Sequence, residues 1–277
     1  MAQQELIKKY AVIGNPIEHS LSPTIHEYFA RKLNINLSYE KIFSDVDKFE
    51  LELKKFFEGG GLGCNVTLPF KREAFLFTEE KSDVAKITGA VNTISKKNGV
   101  YFGDNTDGSG FIRDLKKNIK FDIAGKEVLI LGAGGASMGI IPNIFLEKPK
   151  SLKVFNRTLE NAKSLVERFS SIGTINYIEK GDLIESKFDL IINATSQGMS
   201  QKSFDFTKRV FNDGSILYDL SYGNASKNIK DWAIENKIQF FDGLGMLIEQ
   251  AADSFLIWEG ERPNTFEELK NILIKEL

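Results

Sequence analysis

Short apolar runs closed by turn residues alternate along this chain with stretches whose apolar residues recur at helical spacing. Residues 10–13 form a first run, ended by Gly14-Asn15-Pro16, and predict a strand. Ser22-Pro23 then predicts a helix start, with Ser22 as the cap and Pro23 in the first turn, the helix running to about Leu33. Residues Leu37–Phe43 alternate apolar and polar, the period of a half-buried strand. Residues 46–57 read as a helix stopped by Gly59-Gly60-Gly61, and 63–68 as another strand. The first 107 residues thus predict one α/β unit. Further on, Phe111, Leu115 and Ile119 stand at helical spacing in a connecting helix over 110–125. Buried strands are predicted at Glu127–Leu131, 152–155, 190–193 and 216–219. A helix at Leu244–Glu259 and a last one over 265–275 follow. This alternation is that of an α/β protein with parallel sheets.

The turn after Glu127–Leu131 carries the first chemistry. Gly132, Ala133, Gly134, Gly135 and Ala136 lie between a buried strand and a helix. Glycine allows the tight turn and a close backbone approach, so a pyrophosphate can sit on the helix N-terminal amides. A second strand about 20 residues on completes the usual nucleotide-binding unit. The third fingerprint position is Ser137, a mild departure from Gly or Ala. At the end of that second strand an NAD binder offers a carboxylate to the adenine ribose. Here the residues are Asn156, Arg157 and Thr158, which suit a 2′-phosphate and favour NADP. A glycine-rich turn without a ligand and a plain surface arginine are the bland alternatives.

Composition narrows the class. The 277 residues are 42% hydrophobic and 27% charged, with a net charge of −2 and no long single-sign run, so nucleic-acid or anionic-membrane binding is not suggested. The single cysteine, Cys64, excludes an intrachain disulfide and fits a cytoplasmic setting. The two histidines, His19 and His26, form no cluster with metal-ligand spacing, and no metal is expected. No segment reaches the roughly 20 apolar residues of a membrane helix.

Lys71 follows a strand and a proline, and Asp107 ends the first unit where the chain crosses to the nucleotide-binding part. Sites in α/β proteins gather at strand ends and at domain junctions. A lysine–carboxylate pair can move a proton while a nicotinamide moves a hydride. Singly, Lys71 reads as a solvated lysine and Asp107 before Gly108 as a turn residue; only the constellation points to chemistry. Gln250 is also telling, because it interrupts an otherwise apolar helix face formed by Leu247, Ala251, Ser254, Phe255 and Trp258.

The ordered motifs resemble the shikimate dehydrogenase family. They are Gly14-Asn15-Pro16 through Ser20-Leu21-Ser22-Pro23 with His26, Asn65-Val66-Thr67-Leu68-Pro69-Phe70-Lys71, Gly89-Ala90-Val91-Asn92-Thr93 and Asp104-Asn105-Thr106-Asp107-Gly108. The glycine turn, Asn156-Arg157-Thr158, Asn193 through Met199, Tyr218-Asp219-Leu220-Ser221-Tyr222 and Gly243-Leu244-Gly245-Met246-Leu247 with Gln250 complete the set. The resemblance implies an NADP-dependent oxidoreductase interconverting 3-dehydroshikimate and shikimate, in the route to chorismate and the aromatic amino acids. It implies two α/β domains: a substrate domain of residues 1–107 completed by 243–277, and a Rossmann-type NADP domain of residues 108–242, with the substrate in the cleft between them. Lys71 would be the acid/base residue with Asp107 beside it. Ser20, Ser22, Thr67, Asn92, Asp107, Tyr222 and Gln250 would hold substrate. The glycine turn and residues 156–161 would hold NADP, with Asp83, Leu220 and Gly243 making secondary contacts near the cofactor or cleft. A monomer or homodimer is expected. The departures fall after the cradle (Ser137-Met138-Gly139), after Met199 and after Tyr222, and concern loop conformation.

Bland roles stand beside these. Ser22 would cap a helix in any case, Ser20 could end a turn, Thr67 could be a strand-face hydroxyl, and Asn92 a turn former. Tyr222 could be a half-buried structural aromatic and Gln250 a structural amide. The rival functions are a quinate or dual quinate/shikimate dehydrogenase, and a non-catalytic sensor of NADP and a small acid; a sensor has no need of Lys71 and Asp107 together.

Overall fold

The protein, seen as a computed structural model, is described over residues 7–195 and 207–277. The motif residues Ser196, Gln197, Gly198 and Met199, and the stretch after them to residue 206, lie outside the described residues. The chain divides into two compact units: residues 1–110 with 248–276, and residues 111–247 with Leu277.

The first unit begins β1 (Lys8–Gly14), α1 (Ser22–Leu33), β2 (Leu37–Phe43), α2 (Phe49–Glu58) and β3 (Gly61–Val66). It continues with α3 (Lys71–Phe77), β4 (Glu80–Lys81), α4 (Asp83–Thr88), β5 (Thr93–Lys97), β6 (Val100–Asp104) and the start of α5 (Asp107–Arg113). The six strands form one sheet in the order β2-β1-β3-β5-β6-β4. β1 is buried on both faces, as its apolar run predicts. Ala11 and Ile13 pack with Phe49, Leu53 and Val66, while Tyr10 and Val12 share a cluster with Tyr39 and Trp258.

Several expectations are corrected here. The first sheet is mixed, not parallel, because β5 runs antiparallel to both β3 and β6. Asn98 and Gly99, both at positive φ, fold β5 and β6 into a tight hairpin that leaves no room for a crossover helix. Ser22 is the first residue of α1 and not its cap. Leu21 holds the cap position with no side-chain bond, and it is Ser20 Oγ that accepts from the Ser22 amide (3.3 Å). α2 starts at Phe49, because residues 46–48 close a turn in which the Lys48 amide reaches the Asp45 carbonyl (3.0 Å). β3 ends at Val66, which puts Thr67 in the loop beyond it.

The second unit opens with the end of α5, which a π-helical stretch, Asp114–Ile119, continues to Lys120 in the left-handed region. The connecting helix is therefore shorter than predicted. It is followed by β7 (Glu127–Leu131), α6 (Gly135–Leu146), β8 (Ser151–Phe155), α7 (Leu159–Phe169), β9 (Ile175–Tyr177) and α8 (Lys180–Glu185). Then come β10 (Phe188–Asn193), β11 (Phe211–Asp219), α9 (Lys227–Glu235) and β12 (Gln239–Phe241). The sheet is wholly parallel in the order β12-β11-β10-β7-β8-β9. Counted from β7, that is the doubly wound dinucleotide-binding order, with the topological switch between β7 and β10. Val128 and Ile130 pack towards Ile140 and Ile144; Leu129 and Leu131 pack towards Leu217 and Ile229. The three-residue strands β9 and β12 were too short to carry a periodicity. α10 (Leu244–Glu259) and α11 (Phe266–Leu273) end the chain. Among the described residues no helix is long and apolar enough to cross a membrane.

Candidate active site

The site in the first unit is built on two helix starts. The loop after β3 carries Thr67, Leu68 and Pro69, then Phe70, which is fully buried and stacked on Phe49 with ring centres 4.9 Å apart. That anchor fixes the next residue, Lys71, at the first position of α3. Asp107 occupies the same position in α5, where a carboxylate is favoured by the helix dipole. The two meet: Lys71 Nζ lies 2.5 Å from Asp107 Oδ2. The lysine side chain keeps 22% of its exposure and the aspartate 8%. The pair is thus sheltered yet open on the lysine side.

Asp107 is held from three directions. Asn92 Nδ2 donates to its Oδ1 (2.9 Å), and its backbone amide donates to Asn105 Oδ1 (3.1 Å). Asn105 in turn donates to the Ala90 carbonyl (3.1 Å). Asn92 is the hub of a wider network. Its Nδ2 also lies near Thr106 Oγ1 (3.0 Å) and Gln250 Oε1 (3.3 Å), and its Oδ1 accepts from the Thr106 amide (2.9 Å) and Thr93 Oγ1 (2.8 Å). Beneath it, Ser254 Oγ meets Thr93 Oγ1 (2.8 Å) and receives Asn65 Nδ2 (3.0 Å). Asn65 Oδ1 accepts from the Tyr39 hydroxyl (2.7 Å). Burial raises the Tyr39 phenol well above its ordinary range.

Of the residues expected to hold substrate, Asn92, Asp107 and Gln250 therefore meet directly. Ser20 and Ser22 bond to each other, the Ser22 amide donating to Ser20 Oγ (3.3 Å), at the start of α1. Thr67 is half-buried in the loop before Lys71, its amide bonded to the Ile13 carbonyl (3.0 Å). The roles of Tyr39, Asn105, Thr106 and Ser254 in this network escaped the sequence reading. For Ser254 a signal existed, since it lies one helical turn from Gln250 on the same face.

In the second unit Gly132 follows β7 at φ 105°, and a Cβ there would stand 3.0 Å from the Ala194 carbonyl oxygen. Gly134 and Gly135 open α6, and a Cβ on either would meet nothing within 4 Å. This is a turn with room for a pyrophosphate on the helix N-terminus, and it sits at the topological switch. Ser137 explains its own departure: fully buried, it donates from Oγ to the Gly132 carbonyl (2.8 Å) and so pins helix to turn. Ala133 and Ala136 flank the turn, partly buried.

At the end of β8, Asn156 Nδ2 donates to the Thr158 carbonyl (2.8 Å). Arg157 is exposed and pairs with no carboxylate among the described residues. Thr158 holds the cap position of α7 without a side-chain cap bond. Guanidinium, amide and hydroxyl are thus gathered at one strand end, a donor set that fits a 2′-phosphate. At the ends of β10 and β11, the Leu220 amide donates to the Asn193 carbonyl (2.9 Å) and the Gly243 amide to the Ser221 carbonyl (2.9 Å). Asp219 is fully buried there, its Oδ1 accepting from Asn193 Nδ2 (3.1 Å) and the Ser221 amide (3.0 Å); burial draws its carboxyl upward. Tyr222 follows, half-buried, its phenol raised by burial. Asp83 stands apart from these groups in its contacts: it is exposed in the first turn of α4 and pairs with Lys86 (3.5 Å).

A doubly wound sheet with an open glycine turn at its switch point, a cationic strand end after β8 and a lysine–aspartate pair define the class as NADP-dependent oxidoreductases. Comparison with known proteins gives the family. The family model for the shikimate dehydrogenase substrate binding domain matches residues 12–94, and that for shikimate/quinate 5-dehydrogenase matches residues 114–215. The chain is 43% identical over 274 residues to the shikimate dehydrogenase (NADP(+)) of Vibrio atlanticus, covering 98% of each. It is similar in structure to the shikimate dehydrogenase of Aquifex aeolicus, with a TM-score of 0.86, 30% identity and coverage of 99% and 100%. The shikimate 5-dehydrogenase of Thermus thermophilus, solved in complex with NADP(H) and shikimate, gives a TM-score of 0.84 at 28% identity over 98% of this chain and all of that one. The chain belongs to the shikimate dehydrogenase family.

Proposed function

We propose that the protein reduces 3-dehydroshikimate to shikimate, reversibly, with Lys71 as the proton-transferring residue and Asp107 as its partner. The observation that carries this is the 2.5 Å contact between Lys71 Nζ and a carboxylate whose other oxygen is held by Asn92. Bound NADPH supplies the hydride. As the carbonyl carbon takes on that hydride, its oxygen gains negative charge and needs a proton. Lys71 gives one from Nζ; in the oxidative direction it takes the hydroxyl proton back. Asp107 fixes the lysine rotamer, so the reacting proton is delivered along one line.

In the same reading residues 1–107 with 243–277 serve the substrate and 108–242 serve NADP. Ser20, Ser22, Thr67, Asn92, Tyr222 and Gln250 bind the substrate's carboxylate and hydroxyls, a ligand that suits many short polar partners. Gly132 to Ala136 and Asn156 to Thr158 bind the dinucleotide, with Leu220, Gly243 and Asp83 in secondary contacts. The test is a steady-state comparison of shikimate and quinate, each with NADP and NAD. The reading requires shikimate with NADP to have the highest kcat/KM. Equal efficiency with quinate would make the enzyme a dual quinate/shikimate dehydrogenase, and no turnover of either acid would sink the reading.

A further inference from the structure

α10 presents two adjacent stripes of polar residues at helical spacing. One, Gln250 and Ser254, faces the network around Asn92 and Asp107. The other, Glu249 and Asp253, consists of two carboxylates that are 5% and 8% exposed. Like charges four residues apart on a helix repel, and burial sharpens the conflict. The chain resolves it from outside the helix. After α10 ends, it turns back, and the guanidinium of Arg262 spans both acids. Nε donates to Asp253 Oδ1 (2.7 Å), and Nη2 donates to Glu249 Oε2 (2.5 Å) and to the Glu249 carbonyl (3.2 Å). The other oxygen of Asp253 continues the chain of contacts, because Oδ2 accepts from Ser109 Oγ (2.6 Å). Ser109 lies in the first turn of α5, two residues after Asp107.

We infer that Arg262 is a positioning residue for the substrate site, fixing the rotation of α10 and thereby the placement of Gln250. This rests on the reading of Gln250 as a substrate-binding residue. Glu249 and Gln250 are neighbours on the helix, so whatever holds the first sets the angle of the second. Side-chain tips stand about 5–6 Å from a helix axis, so a 10° rotation moves them about 1 Å. A misplacement of that size can cost about a hundredfold in rate. The planar fork matters as much as the charge, since a lysine ammonium offers a single point that cannot span two carboxylates in fixed geometry.

The experiment is a double-mutant cycle of R262M and Q250L in the full chain, with KM measured separately for shikimate and NADP well below the melting temperature of each variant. The expected result is a rise of about tenfold in the KM for shikimate in R262M, no change in the KM for NADP, and no further rise when R262M is added to Q250L. A melting temperature that drops while the shikimate KM stays put would make Arg262 merely structural and overturn the inference. So would an equal fold-change in both backgrounds. If R262M fails to fold, R262K decides: a shikimate KM raised about threefold or more supports the positioning role, and a wild-type KM overturns it. A wild type inactive on shikimate overturns the proposed activity and this inference together, whereas an active wild type with an indifferent R262M overturns this inference alone.

Discussion

Lys71 and Asp107 are ordinary residues made useful by where two helices begin. Replacing Lys71 by Ala should lower kcat by about 10²–10⁴, the usual worth of general acid–base catalysis, while shifting the KM for shikimate little. Asp107→Asn should lower kcat as well, and the double variant should lose little beyond the worse single one, because residues acting as a unit are not additive. Multiplicative losses in that cycle would argue against a working pair. Arg157 makes a separate prediction. It is exposed and unpaired among the described residues, so it is available to a ligand. Arg157→Ala should cut kcat/KM with NADP by about ten- to a hundredfold, the worth of a charge-assisted hydrogen bond, and barely affect NAD. An equal loss with both cofactors would assign Arg157 to the adenine or the fold.

At the scale of elements, the site depends on how closely α5 approaches α10. Gly110 sits at that approach: a Cβ there would stand 2.6 Å from the Gln250 backbone nitrogen and 2.7 Å from its Cβ. Alanine is the better helix former by about 1 kcal/mol, which would favour Gly110→Ala on an isolated helix. Here the obstructing atoms are the backbone and the Cβ it fixes, which cannot swing aside, so overpacking at about 1–3 kcal/mol should win. The variant should unfold at lower denaturant concentration with an unchanged m value, and its KM for shikimate should rise because Gln250 is displaced. A variant as stable as the parent would show that the helices have slack. The same elements explain why Asn92 does more than line a site. With Thr106, Asp107 and Gln250 all on its amide, it ties the turn before β5 to α5 and α10.

Across the whole molecule, pH acts through a buried histidine. His26 is 1% exposed and stacked on Tyr39 with ring centres 4.4 Å apart, with Phe29, Phe255 and Trp258 around it. Burial pushes its pKa down to about 3, against an opposing contribution from Asn65. The unfolded chain titrates near 6.5, so above that pH both states are neutral and the stabilisation is fully present. As pH falls from 6.5 towards 3 the unfolded state binds a proton that the folded state refuses, and stability is lost. From pH 7 to pH 5 the loss from this one group should be about 2 kcal/mol. Urea unfolding at the two pH values, for the wild type and His26→Phe, should show a smaller loss in the variant by about that amount. Equal losses in both would mean that acid lability lies elsewhere.

The sequence by itself determined the local vocabulary and the identity of the chemistry. Apolar runs marked β1, β2 and β7, and helical spacing marked α10 to the residue, because each pattern is set by neighbours in the chain. The glycine turn and Asn156-Arg157-Thr158 are each contiguous, so they could be proposed as a dinucleotide site with a preference for NADP before any fold was known. Lys71 and Asp107 were legible only as a constellation, being 36 residues apart; their 2.5 Å contact is decided by where Phe70 and Asn105 anchor two helix starts. The tertiary structure alone decided the antiparallel hairpin that makes the first sheet mixed, and the place of Ser22 inside α1 with its amide on Ser20 Oγ. It alone brought Asn65, Thr106 and Ser254 into one buried network and placed Arg262 across two acids of another element. These are contacts between residues far apart in sequence, and no local periodicity encodes them; they exist because buried polar groups must find partners, and the partners come from whatever the fold brings near.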